Sequence, residues 1–257
     1  MPKFAANLSF MFADLAFVDR FAAAADCGFK AVEYLPYDHE PDALKAKLDA
    51  AGLEQALFNL PPGNWEAGER GLAAIPGREA DFEAAVTKGL DYAEVLGNTL
   101  LHAMPGLRHH GANHATYVAN LKRAAAMAAD RGRTIIIEPI NQRDIPGFFL
   151  STTEQARAVI HEVGADNLAL QFDLYHRQIE QGDVARAMRE FGALAAHYQI
   201  ANPPDRAEPD QGEMNYRYLF EVLDETGYDG WVGCEYKPRG DTREGLSWVA
   251  ACGVTLG

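Results

Sequence analysis

Cysteine is scarce in this sequence, and its spacing is irregular. The three cysteines, Cys27, Cys234 and Cys252, lie far apart and form no CxxC pair. A small, odd number of cysteines is typical of a reducing compartment, and it argues against a disulfide framework or a structural zinc knuckle. Because Cys27 and Cys234 stand among apolar residues, we interpret them as small side chains of the core.

Long apolar runs are absent as well. No stretch approaches the roughly 20 apolar residues that a membrane-spanning helix needs. Asn7 and Ser9 interrupt the N-terminal segment where a secretory signal would have its apolar region. The sequence therefore predicts a cytoplasmic protein without a membrane partner.

Positive charge is the third shortage. The 23 lysines and arginines face 37 aspartates and glutamates, which gives a net charge of −14 over 257 residues. This charge repels phosphate backbones and acidic membranes at long range, and no local basic stripe offsets it. We therefore expect no nucleic-acid partner. A small anionic metabolite remains compatible with this charge, because a few well-placed cations dominate at short range.

What the sequence does contain is a regular alternation of β-rich and amphipathic segments. Glycine-marked turns separate the predicted helices from the strands that follow them. This order predicts a parallel sheet closed into a single (β/α)8 TIM barrel, with residues 1–257 forming one domain. An open doubly wound sheet is the alternative, but no GxGxxG motif follows the first strand. The predicted strands span residues 3–9, 31–35, 54–60, 99–104, 134–140, 168–176, 195–201 and 231–237.

The connections after several predicted strands are longer than those before them. Residues 61–77 follow strand three, residues 141–150 follow strand five and residues 202–214 follow strand seven. Loops at the carboxyl ends of the strands carry the active site in barrels of this kind. We therefore expect the functional site at that end of the barrel.

Oxygen-bearing side chains stand at or near the ends of four consecutive strands: Glu138, Asp173, Gln199 and Glu235. The two-residue period of strand eight places Glu235 on the interior face, because Val232, Cys234 and Tyr236 suit the layer against the helices. A single acid at a strand end is as often part of a structural salt bridge, but three acids and one amide at equivalent positions favour a site. Burying these carboxylates without a cation is costly, so a divalent metal is expected. Oxygen ligands favour Mg²⁺ or Mn²⁺ over Zn²⁺.

Further residues are candidates for substrate binding. His176 follows Asp173 by three positions, His102 lies on strand four, and Asn59 lies near the end of strand three. Either histidine can alternatively be a structural residue at its strand end. An anionic substrate needs a cation, for which Lys237 is the best candidate because it shares a face with Glu235. Arg70, on the loop after strand three, is another, although an ordinary surface position accounts for it equally well.

Two carboxylates beside a metal-held α-hydroxycarbonyl are suited to 1,2-proton transfer. One glutamate removes a proton from carbon, and the other returns it to the neighbouring carbon of a cis-enediolate. A metal would acidify the carbon by polarising the substrate oxygens. The sequence has no nucleophile elbow, P-loop or Schiff-base lysine signature. These features predict an isomerase in which Glu138 and Glu235 move the proton.

At these residues the chain resembles hydroxypyruvate isomerases of the xylose-isomerase-like barrel superfamily, nearly from end to end. Two matching stretches are the most specific: Gly212-Glu213-Met214-Asn215-Tyr216 and Gly230-Trp231-Val232-Gly233-Cys234-Glu235-Tyr236-Lys237-Pro238. Others lie at residues 4–9, 59–61, 67–71, 75–79, 137–141 and 144–148.

The resemblance implies an aldose–ketose type isomerase that interconverts hydroxypyruvate and tartronate semialdehyde, a small hydroxy-keto acid pair. It implies that Glu138 and Glu235 act as proton donor and acceptor, and that Glu138, Asp173, Gln199 and Glu235 form a metal-binding shell. In related epimerases a histidine often occupies the strand-seven position, where this chain has Gln199, and a neutral amide is a weaker ligand. A homo-oligomer is left open.

Other functions also remain open at this point. A close group acts on 2-oxo-tetronates, which are one carbon longer, although the stretch 141–147 looks more like the hydroxypyruvate branch. An endonuclease-IV-like metallohydrolase would need further histidines and a basic surface, and a non-catalytic barrel would gain by making the strand-end acids apolar.

Overall fold

The computed structural model describes residues 1–35 and 37–256. Eight parallel strands close into one barrel in chain order, and the last strand pairs with the first. The predicted (β/α)8 barrel is therefore confirmed. The strands are β1 (Lys3–Asn7), β2 (Ala31–Tyr34), β3 (Glu54–Asn59), β4 (Leu100–His102), β5 (Thr134–Ile137), β6 (Leu168–Asp173), β7 (Ala195–Gln199) and β8 (Trp231–Cys234).

Helices fill the connections between the strands. Pro41 opens the helix after β2 at a position where its missing N–H costs nothing, and Gly52 ends that helix in the left-handed conformation. The helices are α1 (Arg20–Asp26), α2 (Pro41–Ala51), α3 (Glu79–Leu96), α4 (His114–Ala129), α5 (Thr153–Val163), α6 (Leu174–Glu180), α7 (Val184–Phe191), α8 (Tyr216–Glu225), α9 (Thr242–Gly245) and α10 (Trp248–Cys252). None of the helices within residues 1–35 and 37–256 combines the length with the hydropathy that spanning a bilayer requires.

Side chains of each strand alternate between two environments. On β1, Phe4 and Ala6 belong to the large core between strands and helices, whereas Ala5 packs with Ala31 and Ala56 in a small separate cluster. Trp231 packs against that cluster from one side. The small alanines fill the narrow interior at the amino-terminal end of the strands, and the polar residues described below occupy the other end.

The three cysteines are free thiols. Cys234 and Cys252 belong to the large core, and Cys27 packs against it while half-buried. The interpretation as a core residue is confirmed for Cys234, whereas Cys27 lies at the edge of the core.

The predicted sixth strand is too long. In the structure, β6 ends at Asp173, whereas the prediction extended it to His176. One carboxylate oxygen of Asp173 accepts hydrogen bonds from the backbone N–H groups of Tyr175 at 2.7 Å and His176 at 3.3 Å, and these bonds end the strand. An aspartate in this position is an N-cap, and the chain turns directly into α6. His176 therefore projects from the first turn of a helix.

The loops after β3 and β4 approach each other closely at Gly71. This glycine bridges to Pro105 and has a φ of +111°. A Cβ atom there would overlap the backbone carbonyl of Met104. The two loops therefore depend on glycine at this position, and both contribute walls of the cavity described below.

Gly71→Ala is expected to lower the free energy of unfolding by about 2–5 kcal/mol, from left-handed strain plus steric overlap. Gly97→Ala is the matched control, because Gly97 also has a positive φ but a Cβ there meets no atom within 4 Å. We expect about 1–2 kcal/mol for the control. Chemical denaturation of both variants measures the difference, and equal losses would contradict the close approach at Gly71.

Candidate active site

A cavity of about 540 Å³ opens at the carboxyl ends of the strands. Seven of the nine residues proposed from the sequence line it: Asn59, Arg70, His102, Glu138, His176, Glu235 and Lys237. Asp173 and Gln199 stand at the last positions of β6 and β7 and do not line it. The expected end of the barrel therefore carries the site.

Four titratable side chains converge at this end of the barrel, and three of them line the cavity. One ligand atom each from Glu138, Asp173, His176 and Glu235 lies within 4.8 Å of the others. Glu138 comes directly after β5 and Glu235 directly after β8, so each acid leaves its strand where the barrel opens. The two glutamates, nearly one hundred residues apart in sequence, thus share one small space.

Arg206, on the loop after β7, supplies the cation of this group. Its guanidinium donates hydrogen bonds to the carboxylate of Glu235 and, at 3.3 Å, to the backbone oxygen of the same residue. It also lies 3.3 Å from Oδ2 of Asp144 and 3.9 Å from Oδ2 of Asp173.

Two aromatic rings hold this guanidinium in place. Its central carbon lies 5.1 Å from the ring centroid of Phe10 and 5.0 Å from that of Tyr175. Packing against aromatic faces and forked hydrogen bonding suit arginine and not lysine. Arg206 therefore presents a fixed positive charge to the carboxylates.

Sequence analysis missed Arg206 and proposed Lys237 and Arg70 instead. Lys237 is exposed, and Arg70 stacks on exposed Trp65, with 3.7 Å between guanidinium carbon and ring centroid. Both stand at the mouth of the cavity, farther into solvent than Arg206. The available signal was the length of the loop 202–214, but nothing local in that loop distinguishes Arg206 from a surface arginine.

Burial raises the pKa values of all three carboxylates. It raises the pKa of Glu138 well above the usual range, with further increases from Glu235 and Asp173. It raises the pKa of Glu235 to about 8 and that of Asp173 to about 6, although Arg206 lowers both. Three carboxylates thus face a single guanidinium, and the group favours either a retained proton or an additional cation.

This group fits a divalent cation. Three ionised carboxylates and one guanidinium have a net charge of −2, which a divalent ion would neutralise. Oε1 of Glu138 and Oδ2 of Asp173 are buried without a hydrogen-bond partner. Unpartnered carboxylate oxygens are the ligands that Mg²⁺ and Mn²⁺ prefer.

The hydrogen bonds of His176 determine its role in this group. Nδ1 of His176 lies 2.6 Å from Nδ2 of Asn141. The side-chain oxygen of Asn141 accepts a hydrogen bond from the backbone N–H of Asp144. Because Nδ2 can only donate, Nδ1 of His176 is an acceptor. Burial and Arg206 also lower the pKa of His176 far below its usual value, so the ring is neutral. Its proton is on Nε2, which lies 3.5 Å from Asp173 and 3.8 Å from Glu138. In this arrangement His176 presents a hydrogen-bond donor to the two carboxylates.

His102 and Asn59 form a second polar pair on the cavity wall. Nδ1 of His102 lies 3.0 Å from Nδ2 of Asn59 and 3.7 Å from a carboxylate oxygen of Glu138. Burial lowers the pKa of His102 to about 3, with a contribution from His197. The neutral imidazole and the amide offer hydrogen bonds to a polar substrate.

Gln199, predicted as a metal ligand, is engaged elsewhere. Its oxygen accepts a hydrogen bond from Gln171 at 2.6 Å, and its nitrogen donates to Glu33 at 2.8 Å. With both ends of the amide occupied inside the barrel, its oxygen does not face the cavity. The three carboxylates are thus the only members of the predicted shell that the structure leaves ready for an ion.

Comparisons with known proteins agree with this architecture. Residues 21–252 match the xylose isomerase-like TIM barrel family. The chain is 56% identical to a 2-oxo-tetronate isomerase of Cupriavidus necator, with 97% of this chain and 98% of the relative covered. It is 46% identical to a hydroxypyruvate isomerase of Escherichia coli, with 97% and 98% covered.

Solved structures show the same fold. A Brucella melitensis structure described as an AP endonuclease, family 2, has a TM-score of 0.95 and 47% identity, covering 98% of this chain and 99% of that one. A D-psicose 3-epimerase of Clostridium cellulolyticum has a TM-score of 0.79 at 16% identity, covering 98% and 100%, and this likeness concerns the fold alone.

Proposed function

Because this chain belongs to the xylose isomerase-like TIM barrel family, we propose that it is a keto-acid isomerase acting on a short hydroxylated 2-oxo acid. One observation carries the proposal. Glu138 and Glu235 each follow directly after a strand, and a carboxyl oxygen of one lies within 4.8 Å of a carboxyl oxygen of the other. Two carboxyl groups so close together can reach neighbouring carbons of one small molecule.

The first candidate reaction interconverts hydroxypyruvate and tartronate semialdehyde. One glutamate removes a proton from C3, and the electron pair moves into the C2–C3 bond to give an enediolate. The other glutamate delivers a proton to C2, while the hydroxyl proton on the C3 oxygen passes to the oxygen on C2 and the carbonyl forms at C3. The pKa of Glu235, raised to about 8 by burial, lies close to neutral pH, where a general base works best.

Other residues of the cavity stabilise the charge that develops during this transfer. Nε2–H of His176 and the guanidinium of Arg206 both point toward the carboxylates, so they are placed to donate to substrate oxygens. Donors fixed in a buried site stabilise a developing oxyanion more than water does. Lys237 and Arg70 at the cavity mouth attract the anionic substrate.

We also propose that Glu138, Asp173 and Glu235 hold Mg²⁺ or Mn²⁺. The buried oxygens of Glu138 and Asp173 that have no hydrogen-bond partner and the negative charge of the group support this assignment. When bound, the ion would polarise the substrate carbonyl and acidify the neighbouring carbon. Gln199 could join this shell only if its amide rotated away from Gln171 and Glu33.

A four-carbon 2-oxo-tetronate is the second candidate substrate. The 56% identical relative has this name, and the cavity of about 540 Å³ has room for an additional hydroxylated carbon. The chemistry of proton transfer is the same for both substrates. Only the relative kcat/KM values of hydroxypyruvate and the 2-oxo-tetronates distinguish the two candidates.

The proposal is tested by incubating hydroxypyruvate and the 2-oxo-tetronates in D₂O and following product and deuterium incorporation by NMR. Each reaction is run after chelation and after addition of Mg²⁺ or Mn²⁺. We expect isomerisation of at least one substrate, faster with metal, and the ratio of kcat/KM values then names the substrate. Absence of both product and deuterium with every substrate would refute the proposed function.

The same preparations should also be incubated with a duplex that contains an abasic site, because the Brucella melitensis structure is described as an endonuclease. We expect no cleavage, since the net charge of −14 repels the DNA backbone. Metal-dependent cleavage without isomerisation would favour the hydrolase.

A further inference from the structure

A layer of buried polar side chains lies inside the barrel next to the carboxylate group. Its centre is Glu33 on β2, which is 1% exposed. One oxygen of Glu33 accepts hydrogen bonds from Nδ2 of Asn7 at 2.9 Å and from Nε2 of Gln199 at 2.8 Å. The other oxygen lies 2.7 Å from Nε2 of His197. Neither Glu33 nor His197 lines the cavity, so the proposed reaction gives them no direct role.

Asn7, the last residue of β1, joins this layer to the site. The same Nδ2 that donates to Glu33 lies 3.5 Å from Oε1 of Glu235. Oδ1 of Asn7 accepts the backbone N–H of Ser9 at 3.0 Å, which fixes the nitrogen on the side of the two carboxylates. Nδ2 carries two hydrogens and can therefore serve both acids.

Asn7 and Arg206 contact different oxygens of Glu235. Arg206 donates to Oε2, and Nδ2 of Asn7 faces Oε1. A carboxylate with only one fixed donor can rotate about its last torsion, whereas fixed donors on both oxygens restrict the rotation. The pair thus sets the direction in which Glu235 presents its oxygens.

Strand β8, which flanks β1 on the side away from β2, leaves space for Glu33. Gly233 lies two residues before Glu235 on the interior face of β8, and a Cβ there would overlap the carboxylate of Glu33. Any larger residue at position 233 would displace Glu33 from Asn7. Strands β1, β2, β7 and β8 therefore cooperate to hold one buried carboxylate beside Asn7.

From this geometry we propose that Asn7 and Glu33 are positioning residues for Glu235. Glu33 anchors the amide of Asn7, and the amide holds Oε1 of Glu235 in the orientation that reaches the substrate carbon. The inference rests on the proposed function, and it extends the machinery to a buried layer that contacts no substrate. Because precise placement of an acid–base group is part of its rate effect, loss of either residue lowers turnover more than substrate binding.

The test compares Asn7→Asp with Asn7→Ala. Aspartate keeps the shape and the acceptor for Ser9 but cannot donate to both acids. We expect each variant to lower kcat by about 10- to 100-fold, the usual effect of residues that orient a functional side chain, with KM changed less than kcat. Asn98→Ala is the matched control, because Asn98 is a buried amide before β4, bonded only to the backbone of Leu100. It should lose stability and keep kcat.

A double-variant cycle tests whether Glu33 acts through Asn7. Glu33→Gln alone should lower kcat by a similar factor, and it should add little on the Asn7→Ala background, because residues in one network are not additive. If the kcat losses of the two single variants multiply fully in the double variant, Glu33 does not act through Asn7, and this step of the proposal is overturned. Wild-type kcat in folded Asn7→Asp would overturn the inference as a whole.

The proposed function and this inference fail in different ways. Wild-type protein inactive on every oxo acid refutes the function. In that case, crystal structures of the wild type and of Asn7→Ala decide the positioning role. We expect the Glu235 carboxylate to rotate in the variant, and an unchanged carboxylate would overturn the inference.

Discussion

Glu235→Gln and Glu138→Gln should each lower the isomerisation rate by at least about 100-fold, the smaller end of the range for a general acid–base group. An amide neither takes nor gives a proton at neutral pH, so each replacement removes one of the two steps of the transfer. Single-turnover rates for both variants, measured on the substrate that the D₂O assay selects, give the factor.

The same two variants should remain folded. Glu138 is buried among like charges, and this burial raises its pKa well above the usual range, so a neutral amide resembles its protonated form. We expect free energies of unfolding within about 1 kcal/mol of wild type, or higher, because repulsion between the carboxylates is relieved. The loss of activity then cannot be assigned to unfolding.

Glu162→Gln is the chemical control for these replacements. Glu162 lies on α5, is 53% exposed and pairs with His114, far from the cavity lining. Its rate should equal that of the wild type. Normal turnover in both Glu138→Gln and Glu235→Gln would remove the two-glutamate mechanism.

Arg206→Met should have the second large effect. It removes the buried cation that contacts Glu235 and faces Asp173 and Asp144. Removal of one partner from a buried charge pair typically costs about 3–5 kcal/mol of stability. Loss of a fixed donor at the reacting centre should also lower kcat by about 100-fold or more.

Two further variants separate charge from geometry at this position. Arg206→Lys keeps the charge but not the planar fork between Phe10 and Tyr175, so we expect only partial recovery of kcat. Adding Glu235→Gln to Arg206→Met should restore part of the lost stability, because the uncompensated carboxylate is removed. Urea denaturation of the single and double variants measures their free energies of unfolding.

Arg186→Met serves as the surface control, because Arg186 is 78% exposed and its ion pair is 4.0 Å long. It should change stability by less than about 0.5 kcal/mol. If Arg206→Met changes the stability as little as this control does, Arg206 does not compensate the negative charge of the carboxylates.

Part of the site followed directly from local sequence. Glu138 comes after three branched apolar residues, and Glu235 comes directly after β8. In a closed parallel barrel the carboxyl ends of all strands lie at one end of the barrel. Residues at the ends of different strands are therefore close together in space. The same pattern placed His102 and Asn59 on the cavity wall.

Two other features differ from what the predicted strand pattern indicated. His176 was expected on a strand, but the cap formed by Asp173 begins a helix there. Gln199 was correctly placed inside the barrel, yet Gln171 and Glu33 occupy its amide. Hydrogen bonds between strands far apart in the chain decide the second outcome, whereas the first is decided by a local cap that the predicted strand pattern did not include.

The sequence by itself determined the barrel, the end that carries the site and the two glutamates, because periodicity and strand ends translate directly into the geometry of a closed sheet. Only the tertiary structure decided that Arg206 is the buried cation and that Asn7 and Glu33 contact each other beside Glu235. The path of a long loop and the choice of partners in a packed interior depend on residues far apart in sequence, which no local pattern encodes.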